Sequence, residues 1–66
     1  MEPFVIIGRK AINPSQILYL ENVNYANGEF GIIVHFSKEI LTFKFKSDKE
    51  LERDFYFRAL AGKYKN

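Results

Sequence analysis

His35 is the only histidine in the chain, and there is no cysteine. Transition-metal sites are built mostly from these two residue types, so a metal centre would need clustered carboxylates, and none are spaced for one. Ser15, Ser37 and Thr42 have no histidine at a spacing that would activate a nucleophile. The four glycines, Gly8, Gly28, Gly31 and Gly62, do not form a phosphate-cradling loop. The expectation is a protein that is not an enzyme, with no metal, no cofactor and no small-molecule substrate. His35 itself reads as a solvated strand residue opposite Thr42.

Two stretches carry chemistry suited to binding. In "FKFKS", residues 43–47, rings alternate with lysines, as single-stranded nucleic acids require. In "DFYFRAL", residues 54–60, three consecutive rings follow a charged run. Three adjacent rings on a helix cannot share one side. Some of them are therefore surplus to one core.

The elements that must position these groups can be read from periodicity. Asn27-Gly28 lies between two apolar-rich runs and reads as a two-residue type I′ hairpin turn. That turn sets Tyr25 opposite Phe30, Val23 opposite Ile32 and Tyr19 opposite Phe36. One face then carries Ile17, Tyr19, Val23, Tyr25, Phe30, Ile32, Val34 and Phe36, interrupted only by Glu21. The other carries Leu18, Leu20, Asn22, Asn24, Glu29, Gly31, Ile33 and His35. In the next strand Leu41, Phe43 and Phe45 alternate with Thr42, Lys44 and Lys46. A tight turn at Lys38-Glu39 sets Phe36 opposite Leu41 and Val34 opposite Phe43. Lys-Glu is poor turn chemistry, which leaves room for a slightly different loop.

"PFVIIG" reads as a first strand, and "INPSQ" as a turn into the strand beginning near Ile17. That first strand is expected to pair with the strand from Ile17. Ser47 and Glu50 have the spacing of a capping box, and Gly62 can end a helix over about residues 48–61. The predicted fold class is α+β. It is a four-stranded antiparallel meander with one C-terminal helix on one sheet face, in one small domain over residues 1–66.

On that helix Leu51, Phe55 and Ala59 form the stripe expected to cover the sheet. Tyr56, Leu60 and Tyr64, with Phe57 at the edge, form a second. Together they span more of the circumference than one sheet can cover. The second stripe is the expected contact for a protein partner or a second copy, since large apolar and amphipathic side chains anchor interfaces. The alternative is weak nucleic-acid binding through the lysine-bearing sheet face: Lys44, Lys46, Asn22, Asn24 and His35.

Composition agrees with a small globular unit. The chain has 66 residues, 47% hydrophobic and 17% aromatic, too apolar for disorder. Net charge is +2, a weak lure for phosphates. A secreted domain this small would usually carry disulfides, so their absence points to a cytoplasmic, reducing setting. "MEPFVIIGRK" is no signal peptide, and no segment is apolar for long enough to span a membrane.

The run "AINPSQILYLENVNYANGEFGIIVHF", residues 11–36, resembles the start of LytTR-type DNA-binding domains, with matches at Ile12, Ile17, Tyr19 and Glu21. "SDKELERDF", residues 47–55, is similar to the family's Ser-x-x-Glu-Leu helix start at Ser47, Glu50 and Leu51. The resemblance implies a related strand–hairpin–helix fold. It transfers no site residue, because the basic aromatic segment that follows the helix in that family has no counterpart here.

Overall fold

A computed structural model describes residues 4–64, with residues 63 and 64 as helix backbone only. The chain is α+β, with one C-terminal helix packed on sheet. Strand β1 (Val5–Ile7) pairs antiparallel with β2 (Lys10–Ile12) as a separate small hairpin. A 3-10 turn, Pro14–Gln16, leads into β3 (Ile17–Asn24). Strands β3, β4 (Phe30–Phe36) and β5 (Ile40–Phe45) form the main antiparallel sheet, in that order. Helix α1 runs Glu50–Tyr64.

The strands thus form two sheets, of two and three strands, and not one four-stranded meander. The reason lies in two local signals. Gly8, at φ +62, opens a two-residue loop with Arg9, the pattern of a type II′ turn. It folds the first strand back on residues 10–12 before it can reach Ile17. Asn13 then ends that hairpin. Its Oδ1 accepts from the Ser15 backbone N–H at 3.1 Å and from Ser15 Oγ at 2.8 Å, starting the Asn-Pro-Ser turn. Val5, Ile7 and Ile12 face inward and are buried.

The pairing of β3 and β4 extends to Tyr25 and Glu29, so the turn itself holds three residues, Ala26, Asn27 and Gly28. The Tyr25 N–H donates to the Glu29 carbonyl at 2.8 Å, and the Gly28 N–H to the Tyr25 carbonyl at 3.0 Å. Gly28 alone takes positive φ, +90, and the Asn27 side chain accepts from the Glu29 N–H. This is a turn closed by a left-handed glycine rather than a type I′ pair. The added loop residue moves the register by one, so Asn22 opposes Ile32, Leu20 opposes Val34 and Tyr19 opposes His35. A one-residue slip turns every side chain of the strand over. Tyr19, Glu21 and Val23 therefore face away from the helix, while Leu20, Asn22 and Asn24 face its side. A bulge at Leu18 restores Ile17 to the inner side, opposite Phe36.

Strand β5 keeps its expected faces with a two-residue shift: Phe30 opposes Phe45, Ile32 opposes Phe43 and Val34 opposes Leu41. The tight loop is Ser37-Lys38, where the Phe36 N–H donates to the Glu39 carbonyl at 2.9 Å. A slip of two preserves sidedness, and so Phe43 and Phe45 pack inward as expected.

The helix begins two residues later than expected. Lys49 donates its N–H to the Lys46 carbonyl and accepts the first helical bond from the Arg53 N–H. Glu50 is thus the first helical residue, and the Ser47–Glu50 capping box is not formed. Glu50 and Glu52 still lie at the positive end of the helix dipole. Gly62 is not a cap, since the helix continues to Tyr64.

The core is one cluster shared by both sheets: Val5, Ile7, Ile12, Ile17, Ile32, Val34 and Leu60. Leu60 is fully buried, whereas Leu51 is 84% exposed and Phe55 61% exposed. The helix is thus rolled about half a turn from the expected orientation. It packs through Arg53, Tyr56, Phe57 and Leu60.

Candidate interaction surfaces

Arg53 lies on the buried side of the helix, against the main sheet. It is only 3% exposed, the one buried charged residue among those described. Its guanidinium donates to the Val23 carbonyl at 2.9 Å, to Asn24 Oδ1 at 3.3 Å and to the Gly31 carbonyl at 3.3 Å. Nε donates to Asp54 Oδ1 at 2.8 Å, and the guanidinium lies 5.0 Å from the Phe30 ring centroid. A buried charge is tolerated only when paired and hydrogen-bonded, and here it is both. This places the arginine at the hairpin end of the sheet and points Leu51 and Phe55 outward.

The residues expected to meet a partner therefore do other work. Leu60 sits at the centre of the core, and Tyr56 and Phe57 pack against it, half-buried. Tyr56 stacks on Phe45 at 6.0 Å between centroids. The expected surplus stripe is thus the stripe that covers the sheet. The Tyr64 side chain lies outside the described residues. Leu51 and Phe55, expected in the core, supply the exposed apolar surface of the helix.

The sheet face turned away from the helix has also changed in composition. Lys44 and His35 lie on it as expected, but Asn22 and Asn24 turn to the helix side, where Asn24 accepts from Arg53. Lys46 is exposed just beyond β5. The slipped register brings Tyr19 and Tyr25 onto this face instead. Tyr19 stacks on His35 with centroids 3.9 Å apart, and His35 Nε2 lies 2.8 Å from Glu21 Oε1. His35 is therefore a mostly covered residue opposite Ile40 and Tyr19, not a solvated one opposite Thr42. Tyr25 leans over Gly31, where an added Cβ would come within 2.7 Å of its ring. The Lys44 ammonium stands 5.1 Å from the Tyr25 centroid.

One sequence signal could have found this arrangement. Glu21 was the single charged residue on a supposed core face. Turning the strand over removes that conflict and puts the carboxylate beside His35. Arg53 had no comparable signal, since arginine on a helix is ordinarily a surface residue.

Among the described residues no cluster of His, Cys, Asp or Glu could hold a metal ion. No helix among the described residues is long and apolar enough to cross a membrane. Comparison of the chain with known protein families, with curated proteins and with solved structures finds no match.

Proposed function

We propose that the protein is a non-catalytic association module that binds a protein surface through the outward stripe of α1, centred on Leu51 and Phe55. The observation that supports this is their exposure, 84% and 61%, on the helix side opposite the core. Fully burying a side chain of this kind is worth about 1.5–3 kcal/mol. A domain this small ordinarily recruits its large apolar residues into its core, so two left outside at i and i+4 favour a contact with another chain. The lack of cysteine supports a reducing, cytoplasmic setting. A photo-crosslinking residue in place of Phe55 should capture a protein neighbour in the producing cell. The same residue in place of Lys38, in the β4–β5 loop, should not. Equal capture at both positions, or none at Phe55, would sink the proposal.

A second reading, nucleic-acid binding on the open sheet face, is favoured by the corrected register. It sets Tyr19 and Tyr25 beside His35 and Lys44 where no helix covers them. Rings with adjacent cations suit unstacked bases. Anisotropy titration with a labelled single strand should then show affinity that falls with salt and falls again in Lys44→Glu. Binding indifferent to both would end this reading.

A further inference from the structure

A strand at the edge of a sheet presents a row of backbone N–H and C=O groups to whatever lies beside it. Strand β5 is such an edge, paired only with β4. The Phe36 N–H donates to the Glu39 carbonyl, and this bond fixes the parity. Residues 39, 41, 43 and 45 turn their backbone groups toward β4. Ile40, Thr42 and Lys44 turn theirs outward, and these groups have no hydrogen-bond partner among the described residues. The other edges are less open to a partner. Strand β3 is broken by its bulge at Leu18, and β1 and β2 hold only three residues each. A lysine on an edge strand ordinarily keeps other strands away. Lys44 is turned from that task. Its ammonium stands 5.1 Å from the ring centroid of Tyr25, which leans over Gly31 in β4, so the side chain runs inward across the sheet.

There is room beside this edge. A cleft of about 460 Å³ is lined by residues 42–45 of β5, whose side chains belong to both faces, so the cleft lies along the edge itself. Ile7 and Gly8 from the first hairpin and Tyr56 from α1 complete its wall. A second cleft, of about 470 Å³, opens at Leu41 and is lined also by Ile12 and Phe36. The β1–β2 hairpin borders both clefts, so the space suits one extended strand and not a second folded sheet. We propose that β5 receives an extended peptide segment of another protein as a fourth strand of the main sheet. The unpaired donors and acceptors recur every second residue, a period that an extended backbone matches and a helix does not. Side chains on the inner side of the added strand enter the two clefts. There Ile7, Phe43, Phe45 and Tyr56, or Ile12, Phe36 and Leu41, favour apolar residues at alternate positions. Side chains on the other side stand beside Thr42 and Lys44, both exposed, where polar residues suit. This surface is separate from the Leu51–Phe55 stripe, and neither reading depends on the other.

Amide hydrogen exchange of the full chain, read residue by residue by NMR, tests this. Leu41 and Phe43 should be protected, and Ile40, Thr42 and Lys44 should exchange fast. The probe is a short capped peptide in which threonine and valine alternate. At about 1 mM it should slow exchange at Thr42 and Lys44 at least about twofold. Thr42→Pro removes the central outward N–H at a position where an edge strand tolerates proline. It should abolish the slowing at Lys44 while circular dichroism stays native. If that variant unfolds, a probe N-methylated at every backbone amide carries the same test on the wild type, and should leave both amides fast. No slowing at Thr42 and Lys44 overturns the proposal, as does slowing that survives Thr42→Pro or full N-methylation. Slow exchange at both amides without the probe also overturns it. A rate that falls as the protein is concentrated then assigns the edge to a second copy, and a constant rate assigns it to the chain itself.

Discussion

Arg53 ties the helix to the hairpin end of the sheet through polar atoms. Its guanidinium lies over the Phe30 ring, and its donors reach two strand carbonyls and Asn24. Arg53→Met keeps most of the stem and removes the donors. It removes charge-assisted hydrogen bonds to two strand carbonyls and Asn24, and should cost about 1–3 kcal/mol. A 66-residue domain has a total stability of only roughly 3–10 kcal/mol. Arg58→Met, on the exposed side of the same helix, should change stability by no more than about 0.5 kcal/mol. Urea unfolding of the two variants measures the contrast. Equal effects would show that Arg53 is not the residue that fixes the helix. The three rings of residues 55–57 are sorted by the same anchor. Phe57 and Tyr56 turn inward, and Phe55 packs edge-on against Tyr56 at 5.5 Å while remaining mostly exposed.

At the scale of elements, turns control sidedness. Asn27-Gly28 marks a turn whether the loop holds two residues or three, but the count decides which face of β3 meets the helix. Gly28 is the residue that permits the three-residue form, since φ +90 is strained for any residue with a Cβ. Gly28→Ala should therefore destabilise the domain by about 1–2 kcal/mol, although its Cβ meets only Ser47 at an ordinary 3.8 Å. A change in denaturation midpoint of that size confirms the left-handed closure. An unchanged midpoint would show that this loop has another conformation available. The neighbouring loop makes the complementary point. Ser37-Lys38 in place of Lys38-Glu39 shifts β5 by two residues, and its inner side is still Leu41, Phe43 and Phe45. Even slips preserve sidedness and odd slips reverse it. The slip in β3 moved two tyrosines onto the open face and two asparagines off it.

At the scale of the whole molecule, two small sheets and one helix share a single set of buried residues. Neither sheet has a core of its own. The β1–β2 hairpin buries Val5, Ile7 and Ile12, and the main sheet buries Ile17, Ile32 and Val34 in the same cluster, with Leu60 from the helix. A chain this short has little interior to divide, so each element is held chiefly by the others. Every strand but β2, the loops near Asn13 and Asn27, the C-terminal helix and the inward set Ile32, Val34, Phe43 and Phe45 were legible from residue order. Turn chemistry and apolar period act over a few neighbours and need no knowledge of the rest. Which stripe of the helix is buried, which way β3 faces and where β1 pairs were not legible. On the helix the competing arrangements, Leu51 and Phe55 against Tyr56 and Leu60, are nearly equal in apolar content. In β3 the inner side exchanges Tyr19 and Val23 for Leu20, Asn22 and Asn24, with Ile17 inward in both arrangements. The helix roll goes with a contact distant in sequence, a buried arginine on two strand carbonyls, while β3 and β1 turn on loop length: a glycine-closed three-residue loop, a bulge at Leu18 and the turn at Gly8. The arginine contacts exist only once the elements are assembled, and with them Leu51 and Phe55 are left exposed.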